Sequence, residues 1–380
     1  LPLHEMFNTA VVEEVKIQEP AKDAEKKTMP AITGMMKKFV DYLNHSGVSY
    51  NSEVYLGASL AWLSMLVSSR YCVKTKAFTT PANLMLWGIL PSGVGKDSPQ
   101  SLLQRLLFDH KVLGSGSYKS APALVMNLCN VIKEKKGETE LVRKAQRENL
   151  MIIDECSTLF RMVQNGENYQ KDIIETLNTL YSRSSGFFAG DQSIARGAGY
   201  GAAYNPYFTL IGFTTYNNFN SIIGENIVGN GFFERSLVFV KTKKSKFNDE
   251  PYKDEKLFQE LKEFTDFCLD KPIRLVTHGV EIPAEQEIKT EVAYEAFPIN
   301  GETEAAMHEY RKKMYSIEGA DIDEAFYNRF GEIVAKVSLL HAISEKRAYI
   351  GLEDFNWAVQ LVEWSYSYSR PAFEKMKTND

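Results

Sequence analysis

Leu90-Pro-Ser-Gly-Val-Gly-Lys-Asp-Ser98 is the stretch on which the reading of this chain turns. An apolar run, ANLMLWGIL over 82–90, reads as a buried strand. Small residues then let the backbone turn sharply, and a helix, QSLLQRLLFDH, follows Pro99. Successive backbone N–H groups of Ser92, Gly93, Val94 and Gly95 can cradle phosphates, and the helix N-terminus favours anions. Lys96 supplies a point charge for the outer phosphates. The strict loop pattern fails at two places: Leu90 stands where the first glycine belongs, and Asp97 where a Ser or Thr would hold Mg²⁺. A carboxylate also binds Mg²⁺, so Asp97 and the neighbouring Ser98 stay as candidate metal contacts. Alone, the loop is equally a glycine turn between a strand and a helix.

A second motif changes that balance. Met151-Ile-Ile-Asp-Glu155 is an apolar strand ending in two carboxylates, and its Asp154 lies 58 residues beyond Lys96. At the carboxyl end of a strand, Asp154 suits a Mg²⁺ ligand and Glu155 a base that polarises water. A strand cap running into a helix is the plainer reading of this pair taken alone.

Outward from these motifs, residues 31–70 look helical, with Ser52 a plausible N-cap. Residues 121–146 read as helix ending in charge, and DIIETLNTLYSR (172–183) as an amphipathic helix. YFTLIGFTT and SLVFV (236–240) are further strand-like runs. Strands alternating with helices predict an α/β fold with a largely parallel sheet. KTKKSKFNDEPYKDEK reads as an exposed connector, and helical periodicity dominates beyond it. The expected division is an arm over 1–28, a helical segment over 29–80, an α/β core over 81–245 and a helical domain over 246–380.

Composition narrows the classes. Apolar residues make up 44% and charged residues 24%, so the chain as a whole is globular. The four cysteines form no CxxC pair, which argues against a disulfide framework or a zinc finger and for a reducing compartment. A net charge of −5 means that any nucleic-acid site is a local patch. The most apolar stretch, Tyr55 to Val67, is too short to span a bilayer. The chain opens with Leu rather than Met, which suggests a piece of a longer protein.

SGVGKD, MIIDE, the Asn-bearing FTTYNNF and GFFERSLVFV follow one another in the order of the ring-forming P-loop helicases of superfamily 3 and their AAA+ relatives. The chain resembles that family over roughly residues 30–365, most nearly a phage and prophage branch in which such a module accompanies primase domains. The resemblance implies a P-loop NTPase core (AAA+/RecA-like) that binds ATP and Mg²⁺. It implies a homo-oligomeric ring, expected to be a hexamer, that moves along single-stranded DNA in a bacterial cytoplasm. By position, Lys96 is the phosphate lysine and Asp154 with Glu155 the acidic pair. Thr214, Thr215, Asn217 and Asn218 form the polar sensor, with Asn217 favoured to orient the attacking water. Arg235 is the arginine finger acting in the neighbouring subunit's site, and Arg329 a second nucleotide-sensing arginine. Without the family, Tyr-Asn-Asn is equally a turn, and the alternative for Arg235 is a surface salt bridge, for example with Glu234.

Tyr181 to Gly201 reads as a glycine-hinged hairpin at the place where that family turns a hairpin towards the ring channel. Arg183 and Arg196 would meet phosphates, and Phe187, Phe188 or Tyr200 would stack on bases. Residues 181–246 carry seven basic side chains against three acids, although the phenylalanines are equally core and KTKKSK equally a solvated connector. His341 and Cys156 read as packed core residues rather than a ligand and a nucleophile, and no GxSxG or HExxH motif occurs. Two other functions stay open on the sequence: a nucleotide-dependent remodeller or switch acting on a protein, and a degenerate P-loop scaffold.

Overall fold

The structure is a computed structural model that describes residues 27–114, 124–125, 128, 131–135, 138–143, 148–157, 159, 161, 168–188, 198–200, 203–222, 231–241, 243–271, 275–276, 291–292, 294–317 and 321–377. Its centre is a four-stranded sheet whose pairings are all parallel. Before it come α1 (Gly34–Ser46), α2 (Ser52–Val67) and an antiparallel pair, β1 (Tyr71–Lys74) and β2 (Thr79–Pro81). In chain order the strands of the central sheet are β3 (Met85–Leu90), β6 (Glu148–Ile153), β10 (Tyr207–Thr215) and β11 (Ser236–Val240). From edge to edge they run β11, β3, β10, β6. A parallel bridge, Leu113↔Leu150, continues the sheet past β6. β3, β6 and β11 are buried along their whole length, as parallel strands covered on both faces must be.

Register explains how the sheet closes without voids. Trp87 stands opposite Gly212, and Gly88 opposite Phe213. A Cβ on Gly212 would lie 2.4 Å from the Trp87 ring, and one on Gly88 2.7 Å from the Phe213 ring. Each aromatic ring therefore fills the space its neighbour's missing side chain leaves, once on each face of the sheet. α2 packs on the Gly88–Phe213 face, where Val54 also approaches Gly88, and Gly57 lets α2 come close to the Phe239 ring. α2 begins at Ser52 itself, with Asn51 at the N-cap position, one residue before the expected cap.

α3 (Asp97–Leu107) follows the loop after β3, and α4 (Asn168–Ser182) precedes β10. α5 (Tyr216–Ile222) continues directly from β10, so Asn217 and Asn218 begin a helix rather than a plain turn. After β11 come α6 (Glu255–Leu269), α7 (Gly301–Tyr315), α8 (Asp321–Ser344) and α9 (Leu352–Lys377). One hydrophobic core runs without a break from Met35 on α1 to Tyr366 on α9, across the expected segment boundaries. His341 and Cys156 belong to the interior, as the sequence reading expects. His341 Nδ1 lies 2.6 Å from Asp354 Oδ1, and its ring stacks on Trp357.

Two segments differ from expectation. Of the helix expected over 121–146, Leu124, Val125 and Leu128 are helical, but the part from Val131 is corrected: β4 (Val131–Lys135) and β5 (Glu138–Arg143) form an antiparallel hairpin, joined by β8 (Ala198–Tyr200). Only Lys136 and Gly137 separate the two strands. Register sets Lys133 opposite Glu140 and Lys135 opposite Glu138. The connector after β11 is exposed at Lys243, Lys244 and Lys246 but fastened elsewhere. Lys241 pairs with Glu53 at 2.9 Å, and the buried Asn248 donates from its side-chain amide to the carbonyls of Asn44, His45 and Gly47.

Candidate functional site

Because the four strands are parallel, the loop after β3, the acids after β6 and the polar end of β10 emerge at one edge of the sheet. β10 lies between β3 and β6, so Thr214 and Thr215 stand between the lysine loop and the carboxylates. In the loop, Gly93 (φ +77°) and Gly95 (φ +87°) occupy the left-handed region that L side chains rarely adopt. Nothing lies within 4 Å of where a Gly93 Cβ would be, so the demand for glycine there comes from the backbone and not from crowding. Between them Val94 is buried, and its carbonyl accepts from Ser49 Oγ at 2.9 Å and from Asn51 Nδ2 at 2.8 Å. These braces come from the turn before α2 and were not part of the sequence reading. The polar run Ser49-Tyr-Asn-Ser52 ahead of an apolar helix is the signal that could have marked them.

Lys96 stands at the N-cap position of α3, which starts at Asp97, three residues earlier than expected. Pro99 is buried in the first turn, where a missing N–H costs nothing. Ser92 and Asp97 are exposed and Ser98 is half-buried. Lys96 Nζ lies 3.4 Å from Asp154 Oδ1 and 3.6 Å from Glu155 Oε2, and donates to the Asp154 carbonyl at 3.4 Å. The loop and the acidic pair thus meet at one ammonium. Partial desolvation works to lower the Lys96 pKa, but the charges and hydrogen bonds of Asp154 and Glu155 outweigh it and raise it.

Glu155 is held by hydrogen bonds from two neighbours. Its Oε1 accepts from Thr214 Oγ1 at 2.6 Å and from the Ser157 backbone N–H at 3.3 Å. Burial pushes its pKa up, yet the Thr214 and Ser157 hydrogen bonds and the Lys96 charge together hold it below the ordinary glutamate value. Asp154 is exposed at the strand end. Of the four polar residues expected at the end of β10, Thr214 reaches the acidic pair, whereas Asn217 is exposed on α5 and Thr215 Oγ1 accepts the Asn218 backbone N–H at 3.4 Å. No group of three or more His, Cys, Asp or Glu side chains able to hold a metal occurs among the described residues. A cation between Asp154, Asp97 and Ser98 would therefore need oxygens from a ligand or water as well. The chemistry of the set fits a phosphate with its cation: one lysine at a left-handed glycine loop, and exposed carboxylate beside it.

Arg235 stands elsewhere. It precedes Ser236, which pairs with Met85 at the start of β3, so it occupies the amino edge of the sheet. The six residues of β3 separate that edge from the loop by roughly 20 Å at about 3.3 Å per residue. Arg235 is half-buried, and its Nη1 donates to the Gly231 carbonyl. Burial, with Arg329 nearby, depresses its pKa, while Glu332 and Glu234 oppose this. Arg329 belongs to the same cluster, 3.9 Å from Glu332. Below it the fully buried Lys336 pairs with Glu332 at 2.9 Å, donates to Asn83 Oδ1 at 2.9 Å, and lies 3.7 Å over the Tyr181 ring.

The expected hairpin is rooted at this same amino edge. β7 (Phe187–Phe188) pairs antiparallel with β9 (Ala203–Tyr204), and Ser184 Oγ donates to Asn83 Oδ1 at 3.0 Å. Arg183 is exposed, and Phe188 is half-buried against the core. Phe187 sits opposite Tyr204, and Tyr200 opposite Val131. Arg196 and residues 189–197 lie outside the described residues. No helix among the described residues is long and apolar enough to cross a membrane. No protein-family model matches the chain, and no curated protein matches it at a significant level.

Proposed function

We propose that the chain is the Mg²⁺-dependent ATPase module of a ring-forming nucleic-acid translocase of the P-loop class. The observation that carries this reading is the meeting of Lys96, at the end of a left-handed glycine loop, with Asp154 and Glu155. An anion at the loop would take over the ammonium that the two carboxylates now share. That exchange frees Asp154 to face a cation with Asp97 or Ser98. Mg²⁺, when bound with the nucleotide, supplies charge neutralisation at the phosphates. Glu155, kept ionised by Thr214 and Ser157, draws a proton from the attacking water. Thr214 fixes which Glu155 oxygen is free to do so.

Arg235 supports the multi-subunit part of the reading. Its place at the far edge keeps it from the loop of its own chain, so a role at the phosphates requires a neighbouring copy. The ribbon rooted beside it, with the exposed Arg183, is the proposed contact for single-stranded DNA. The test is ATP hydrolysis with and without single-stranded DNA, for the wild type and Lys96→Ala. Turnover that rises with DNA and vanishes in the variant supports the motor. DNA-independent turnover moves the reading to a remodeller of proteins, and failure of the wild type to bind ATP refutes the nucleotide site.

A further inference from the structure

The carbonyl of Val94, in the middle of the glycine loop, is gripped by two buried side chains. Asn51 Nδ2 reaches it at 2.8 Å and Ser49 Oγ at 2.9 Å. The two donors are also joined to each other, since Asn51 Nδ2 donates to Ser49 Oγ at 3.0 Å. The turn that carries them is itself tied down. The Asn248 N–H donates to the Val48 carbonyl at 2.9 Å, and its side-chain amide to the Gly47 carbonyl at 3.0 Å. The next carbonyl of the loop, that of Gly95, accepts from the Ser98 N–H at 3.3 Å. In a trans peptide the C=O and N–H of one unit point in opposite directions, and the described peptide bonds are all trans. Each tied carbonyl therefore turns the N–H of the following residue the other way. The Gly95 N–H points away from the α1–α2 turn, and the Lys96 N–H away from the first turn of α3. Neither has an acceptor among the described residues.

Glycine alone does not secure this arrangement. Gly93 and Gly95 reach the left-handed region without steric cost, but a glycine adopts the opposite sign of φ as readily. Turning over the Val94–Gly95 unit would exchange its two directions. A carbonyl oxygen, a partial negative charge, would then stand where the N–H now stands, and an anion would meet repulsion in place of a donor. Resting on the nucleotide-site reading above, we propose that Ser49 and Asn51 are positioning residues for the phosphate chain. By holding the Val94 carbonyl they keep the Gly95 N–H facing the anion, and they touch no ligand themselves. The polar turn before α2 is thus part of the phosphate site. What it selects is the phosphate chain, so inorganic tripolyphosphate should feel the two residues as ATP does.

The experiment uses the full chain with Mg²⁺ and inorganic tripolyphosphate or ATP, and reads affinity by calorimetry and one amide by NMR. Labelling valine carbonyl carbons and glycine amide nitrogens together leaves two Val–Gly signals, those of Val94–Gly95 and Val228–Gly229. Gly229→Ala removes the second and so assigns the first. On binding of tripolyphosphate the Gly95 amide proton should move downfield, because a hydrogen bond to an anion deshields it. Ser49→Ala takes away a single hydroxyl, and with it one grip on Val94 and the link to Asn51. It should weaken tripolyphosphate and ATP alike, by roughly 3- to 10-fold. Ser49→Thr, which keeps the hydroxyl, should restore the affinity. A Gly95 signal that stays in place while the wild type binds tripolyphosphate overturns the proposal and keeps the nucleotide site. Ser49→Ala with wild-type affinity for both ligands overturns it equally. Failure of the wild type to bind either ligand overturns the nucleotide-site reading, and the proposal with it.

Discussion

Thr214 and Glu155, from neighbouring strand ends, are joined by a 2.6 Å hydrogen bond in which the hydroxyl donates to the carboxylate. This bond ties β10 to the acid that follows β6 and is the largest of the influences holding Glu155 in its charged form against burial. Thr214→Val should cost about 1 kcal/mol in denaturant unfolding. It should also raise the acid limb of the turnover profile, and Thr214→Ser should restore both. Because the folded Glu155 pKa is depressed, its contribution to stability is present above the unfolded value and lost as pH falls through the folded one. The stability difference between wild type and Thr214→Val should therefore shrink below about pH 4. A constant difference across that window contradicts the assignment.

Lys96 and Arg235 lie at opposite ends of the strands of one sheet, so the proposed shared site would need two copies of the chain. Arg235→Ala should bind ATP normally and fail to hydrolyse it. Lys96→Ala should do neither. Mixing the two inactive variants should restore part of the activity, because some interfaces then pair an intact loop with an intact arginine. Strict additivity of two dead proteins in the mixing assay rules out a shared site.

Two glycines separate crowding from backbone strain. Gly212→Ala would drive a Cβ into the Trp87 ring at 2.4 Å inside a fully packed sheet, and should cost about 3 kcal/mol or more. Gly93→Ala meets nothing, and its left-handed backbone should cost about 1–2 kcal/mol. Urea unfolding of the two variants gives the comparison, and an equal cost would contradict the register of β3 against β10.

Lys336 is a fully buried cation whose pKa is lowered by desolvation, with Glu332 acting in the opposite direction. In the window just below the ordinary lysine pKa, the unfolded chain binds more protons than the folded one, so stability should rise with pH there. Lys336→Met should abolish that slope. At neutral pH it should cost about 3 kcal/mol by stripping Glu332 and Asn83 of their donor, and adding Glu332→Gln should recover part of the loss. Thermal unfolding of the three proteins between pH 7 and about pH 10 is the measurement.

Much of the site could be read from the chain because its signals are local. Gly93, Gly95 and Lys96 are contiguous, and their backbone demands are written in residue type alone. Asp154 and Glu155 follow an apolar run whose length and acidic end are equally plain. The central strands are legible for the same reason, being continuous hydrophobic runs. The 131–143 hairpin is not, because alternating Lys and Glu suit a solvated helix as well as a charged ribbon, and only the pairing register decides. The brace from Ser49 and Asn51 to Val94 joins residues more than forty positions apart, which no local pattern encodes. The choice of Thr214 over Asn217 as the partner of Glu155 depends on where β10 stops and α5 begins. Boundaries of that kind are set by packing rather than by sequence preference.

The central claim is that Glu155 activates water at a phosphate held by Lys96. Glu155→Gln keeps the size of the side chain and its acceptor for Thr214 while removing its basicity. ATP binding and steady-state hydrolysis measured together on this variant test the claim most directly. Affinity should stay close to wild type while turnover falls by about a hundredfold or more. Hydrolysis at the wild-type rate would show that Glu155 is not the base and would contradict the mechanism.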